Sequence, residues 1–111
     1  MSAKEDLQMI SFNIIAHAGA ARSCCMEALQ YGRTGHFEEA SDKLKEADTE
    51  FIHAHNKQSA LLHAEADGTD HQLSVILIHA QDHLMTAMTV KEMTEEMIEM
   101  YKRITKLEEI K

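Results

Sequence analysis

Between Phe37 and Leu61 the chain steps by three and four: Phe37, Ala40, Leu44, Ala47, Phe51, Ala54, Gln58 and Leu61 fall on one line, with Glu38, Glu39, Asp42, Lys43 and Lys45 elsewhere. That rhythm follows the turn of an α-helix and predicts an amphipathic helix with a solvated back. The same steps join Leu7, Ile10, Ile14, Ala18, Ala21, Cys25 and Ala28. Phe12, Ile15, Gly19, Met26 and Leu29 add a second apolar strip there, so the first helix is expected to be covered on two sides. Further on, Leu73, Ile76, Ala80, His83, Ala87, Val90, Met97, Tyr101 and Ile104 form the expected core line of a third helix, with Leu77, Leu84, Met88 and Ile98 beside it. Glycines punctuate the chain at "YGRTG" (31–35) and "DGTDHQ" (67–72). The expected helices run roughly over 3–31, 36–66 and 73–108. Short connections between long helices make neighbours antiparallel. The predicted fold is all-α, an antiparallel three-helix bundle forming a single domain over 1–111.

Another line on the third helix is harder to assign to a bundle core. His79, Asp82, Thr86, Thr89, Met93 and Met100 keep the same rhythm but mix ligand groups, hydroxyls and methionines. A solvated face needs no methionines, and a mixed strip at coiled-coil spacing is a self-association seam. A homo-oligomer is therefore expected.

Composition narrows the function. The 111 residues include no proline and four glycines, which suits long uninterrupted helices. Nineteen acidic residues against eleven Lys and Arg give a formal charge of −8, so no basic patch is available for a phosphate backbone and nucleic acid is not an expected partner. The opening "MSAKEDLQMI" lacks the ~7–15-residue apolar centre of a signal peptide, and no stretch approaches the ~20 apolar residues of a membrane span. A cytoplasmic protein without membrane insertion is expected. Cys24 and Cys25 are adjacent, where a bond between helix side chains pointing about 100° apart would be strained. They read as reduced, space-filling thiols.

The chemistry gathers in "LIHAQDHLMT" (77–86), where His79, Asp82 and His83 occupy helix positions i, i+3 and i+4. Three readings compete. Each group could be a satisfied structural residue. The two histidines could hold a metal, in an order similar to His-x-x-Glu-His, although no third ligand is signalled. Glu50 and His53 form a Glu-x-x-His pair of the di-iron kind, but a full set of partners is missing. Finally, a neutral imidazole could attack phosphorus and carry a phosphoryl group, aided by Gln81, Thr86, His83 or a metal held by Asp82. A metal-binding bundle or a structural interaction module remains the alternative to phosphoryl chemistry.

A resemblance favours the last reading. Ala18-Gly19-Ala20-Ala21-Arg22-Ser23, then Gly35-His36-Phe37, Ala54-His55 and Gln58, then Ser74-Val75 leading to His79-Ala80-Gln81-Asp82-His83-Leu84-Met85-Thr86, resemble the lactose/cellobiose-type IIA component of the phosphoenolpyruvate-dependent sugar phosphotransferase system. The resemblance implies a homotrimer of three-helix bundles, a nine-helix assembly, that takes a phosphoryl group from HPr and gives it to a cysteine of the cognate IIB component. It aligns His79 with the phosphorylated histidine. It aligns Asp82 with an aspartate whose three copies meet around Mg2+, one per trimer, at the subunit axis. Gln81, His83 and Thr86 are carried over only as neighbours of that site; the apolar residues around Leu77, Ile78 and Met85 read as candidate docking surface. His36, Ser59 and His17 depart from the family's usual residues; His53, His55, His63 and His71 read as surface or loop groups.

Overall fold

The computed structural model describes residues 3–68 and 73–110, with side chains from residue 5 onward. Three helices make up the fold: α1 (Ala3–Arg33), α2 (Phe37–Ala66) and α3 (Val75–Glu109). No strand occurs among the described residues. Most of the second predicted turn, together with His71, lies outside them.

The α1–α2 corner shows what each glycine does. α1 runs through Gly32 to Arg33, two residues past its expected end. Gly32 is not a breaker: a Cβ there would lie 3.4 Å from Tyr101 Cδ2 and 3.5 Å from Ile98 Cγ1, ordinary contact distances at which an alanine would pack against α3. The stop comes at Gly35, with φ +80°. There the His36 N–H donates to the Tyr31 carbonyl (2.9 Å) and the Gly35 N–H to that of Gly32 (3.1 Å). These two bonds are a Schellman closure, which needs a left-handed residue. Gly35→Ala is expected to cost about 1–2 kcal/mol and Gly32→Ala much less, read as the shift in urea midpoint of each variant.

α3 begins at Val75 because Ser74, in extended conformation, caps it: the Ser74 hydroxyl accepts the Leu77 N–H at 3.2 Å. Leu73, expected inside the helix, precedes that cap and is 78% exposed.

α1 is the central helix. Both α2 and α3 pack extensively along it and touch each other far less. The predicted α2 line forms its inner face, with Ala40, Ala47, Ala54 and Leu61 buried. Facing it, Leu7, Ile14, Ala18, Ala21, Cys25 and Ala28 of α1 are buried. The second α1 strip is only partly covered, since Phe12 remains 56% exposed and Met26 49%.

In α3 the core line differs from the expected one. Ala80, Leu84, Ala87, Thr94 and Ile98 are buried, whereas Met97 and Ile104 point outward. Strict alternation of three and four averages 3.5 residues per turn and drifts by about 20° per heptad around a straight helix. By Met97 the predicted line has rotated off the core. Thr94 can be buried because its hydroxyl donates to the Val90 carbonyl at 2.7 Å. Two lysines tie helices together at the rim: Lys43 reaches Glu27 of α1 (2.8 Å), and Lys91 of α3 reaches Asp48 of α2 (2.5 Å). The paired carboxylates hold both ammonium groups above their ordinary pKa.

Candidate functional site

The site is built on the first four turns of α3. At about 100° per residue, His79, Asp82, Thr86 and Thr89 fall on one strip of that helix. All four are exposed, on the side away from buried Ala80, Leu84 and Ala87. The α1-facing core thus fixes where the strip points: into the open.

Within the strip the groups separate. The His79 and His83 rings meet edge to face, 4.4 Å between centroids at 84°. His83 is half-buried, so this contact props the His79 ring while that ring stays exposed. Thr86 is turned to its own backbone, its hydroxyl donating to the Asp82 carbonyl (2.9 Å) and lying 3.3 Å from that of His83. The Asp82 carboxylate has no hydrogen bond or ion pair with any described residue. Gln81 departs from the group: it faces α2, where Gln58 donates its side-chain N–H to the Gln81 carbonyl oxygen. Two of the three groups expected to flank His79 therefore have other bonds, and His83 alone touches it.

Could a metal sit here? Among the described residues of one chain, no three His, Cys, Asp or Glu side chains are placed to hold an ion. Asp82 supplies one hard oxygen donor, exposed and unpaired, which suits a divalent cation only if further oxygens come from other copies. The Glu50–His53 pair is otherwise engaged. Glu50 Oε2 lies 2.6 Å from His17 Nδ1, and His17 stacks on His53 with ring centroids 5.0 Å apart. His17, a polar intrusion in sequence, is thus half of a cross-helix pair. Nothing in the linear spacing signals it, because the partners are 33 residues apart.

The remaining candidates sort readily. His36 bonds Thr34 (2.7 Å) at the α1–α2 corner, and His55 and His63 are exposed on α2. Ile78 (58% exposed) and Met85 (55%) flank the strip, while Leu77 packs against the core. The cysteines are free. Burial raises the pKa of both thiols, and the Glu46 carboxylate raises that of Cys24 further, so neither is an activated nucleophile. A groove between α2 and α3, lined by Phe51, Ile52, His55, Met88 and Lys91, includes no residue of the His79 strip. No helix among the described residues is long and apolar enough to cross a membrane.

Comparison with known proteins adds four findings. Residues 9–102 match the family described as "PTS system, Lactose/Cellobiose specific IIA subunit". The lichenan-specific phosphotransferase enzyme IIA component of Bacillus subtilis is 46% identical over 91% of this chain and 92% of its own length. Among solved structures, the cellobiose-specific enzyme IIA of Bacillus anthracis superposes with a TM-score of 0.88 at 42% identity, over 95% of this chain and 94% of that one. A IIA(chitobiose) from Escherichia coli, determined in complex with HPr, superposes with a TM-score of 0.78 at 30% identity, over 89% of this chain and 96% of its own.

Proposed function

Because this chain belongs to the lactose/cellobiose-specific IIA family of the sugar phosphotransferase system, we propose that His79 is the residue through which it carries a phosphoryl group from HPr to the cognate IIB component during sugar uptake. The observation that carries the assignment is the state of that side chain. It is an exposed imidazole in ring contact with His83, one turn from a carboxylate that bonds to no described residue.

The chemistry follows from that exposure. In its neutral form an imidazole nitrogen of His79 offers a lone pair to the phosphorus of phospho-HPr; the N–P bond to His79 forms as the donor's N–P bond breaks, and the donor histidine leaves with the electron pair. The reverse polarity serves the second step, in which a thiolate sulfur of IIB attacks and His79 leaves. Both partners must reach the same atom in turn. A nucleophile in a closed cleft could not serve two proteins, whereas one on an open helix face, flanked by Ile78 and Met85, can.

The chain acts as a homotrimer in this reading. Three Asp82 carboxylates meeting on the seam would repel one another unless protons or a cation intervened. Mg2+ bound there supplies charge neutralisation. Asp82 would be its ligand, with His79 exposed one turn earlier on the same helix face. Gln81 acts as a brace to α2, and Thr86 as a local backbone cap. The working compartment is the cytoplasm, where the partner carriers operate.

The test is direct. Incubated with phosphoenolpyruvate, enzyme I and HPr, the protein is expected to take up acid-labile, alkali-stable phosphate. Failure of the intact protein to label would overturn the assignment.

A further inference from the structure

Gln58 is the one polar residue on the inner line of α2 that runs Phe37, Ala40, Leu44, Ala47, Phe51, Ala54, Gln58, Leu61. Its neighbours along that line, Ala54 and Leu61, are buried, and Gln58 itself is half-buried. A leucine there would bury more apolar surface. The amide instead reaches across to α3, where its side-chain N–H donates to the side-chain oxygen of Gln81, also half-buried. Gln81 stands between Ala80 and Asp82, two residues from His79. The bond falls where α3 is least held. Val75 is 85% exposed, and Ala80 is the first buried residue of the helix, so His79 precedes the point at which the core grips it. Leu77 packs against the core there, but α2 and α3 touch each other far less than either touches α1. The ion pair of Lys91 with Asp48 joins α2 to α3 about three turns further on.

We propose that Gln58 is a positioning residue for phosphoryl transfer: through its bond to Gln81 it fixes the roll of the first turns of α3, and with it the direction in which His79 is presented to its partners. The inference rests on the assignment of His79 above and adds a residue, on another helix, on which the transfer depends.

Two positions along a helix turn it by about 200°, so Gln81 points away from His79 and acts on it only through the backbone of α3. That backbone is what needs fixing. Apolar contact is non-directional and tolerates a small roll, whereas a hydrogen bond between two amides weakens steeply once its angle is lost. Rolled apart, two half-buried amides would each lose a partner that water replaces only in part. The consequence for the site is geometric. A group on the helix surface, about 5–6 Å from the axis, moves about 1 Å for each 10° of roll. Misplacement on that scale slows a group transfer by up to about 100-fold. The exposed His79 ring has no cleft around it to correct such a shift, so its direction is set by how α3 lies on α1 and α2.

Single-turnover phosphoryl uptake by the full chain over a range of phospho-HPr concentrations, with urea unfolding alongside, tests this. Gln58→Leu is expected to lower the rate at saturating phospho-HPr by about 10-fold, with the half-saturating concentration little changed. Gln58→Glu, whose carboxylate can accept the Gln81 amide N–H once that amide turns over, is expected to recover most of the rate. Gln58→Leu/Gln81→Leu separates positioning from stability. Two leucines replace the amide pair by apolar contact, so the double variant should be more stable than Gln58→Leu, which strands the Gln81 amide, yet transfer as slowly. If Gln58→Leu labels at the wild-type rate, or if the double variant recovers rate and stability together, the bond is structural only and the inference falls while His79 keeps its role. If wild type takes no label, the assignment of His79 itself falls, and this inference with it.

Discussion

His79→Gln is expected to accept no phosphate at all from phospho-HPr, with its fold intact. The covalent intermediate has no alternative seat. Glutamine keeps the size and a polar tip but offers no nucleophilic nitrogen, so the loss is total rather than graded. Nothing structural depends on the ring either. It is exposed, and it meets the His83 ring edge to face. The thermal midpoint should therefore move little, as for other exposed positions, within about 0.5 kcal/mol. His83→Gln is the informative companion, since it leaves the nucleophile in place and removes only the prop. It should still label, more slowly. Phosphate uptake and melting curves on the two variants separate the roles, and persistent labelling of His79→Gln would move the phosphoryl seat elsewhere.

Leu84→Ala is expected to destabilise the protein by about 2–5 kcal/mol, a large share of the ~5–15 kcal/mol a domain possesses. Leu84 is fully buried and sits among Leu7, Ile14, Ala18, Ala54, Leu61, Ala80 and Ala87. Most of those neighbours are alanines. Alanine lets helices pack closely but brings little apolar area, so Leu84 and Ile14 supply a disproportionate part of what this cluster buries. Alanine side chains on facing helices cannot rotate to fill the space, which puts the cost toward the upper end. Met85→Ala, one residue on and exposed, should cost little. Urea unfolding of both variants at one fixed protein concentration makes the comparison, because association with other copies raises apparent stability by mass action.

These two residues also illustrate what could be read in advance. His79 and Asp82 were visible as misfits: ligand groups in an apolar run, on a line with methionines that a solvated face does not need. Periodicity sets Leu84 beside the core line rather than at its centre, because a strict three-four alternation drifts around a real helix. The same drift put Met97 and Ile104 inside and overlooked Thr94, which a hydroxyl bond to Val90 makes tolerable in the core. Gly32 and Gly35 look alike in "YGRTG". One sits inside the helix against Tyr101 and the other supplies a left-handed φ, and local sequence does not distinguish the two.

Cross-helix pairs leave no mark in the linear spacing. The link from His17 to Glu50, the stack on His53 and the amide bond from Gln58 to Gln81 all join residues far apart in sequence. Each depends on the relative rotation of two helices about their axes.

By itself, then, the sequence determined the number of helices, the α2 face and the strip that carries the chemistry, because these rest on periodicity and composition within one helix. Only the tertiary structure decided that α1 stands between the other two helices. It also decided that Gln81 turns to α2 while His83 touches His79, and that Met97 and Ile104 of α3 point outward. Those outcomes depend on how three helices rotate and slide until their small residues interlock, a balance of contacts summed over the whole bundle and present in no single segment.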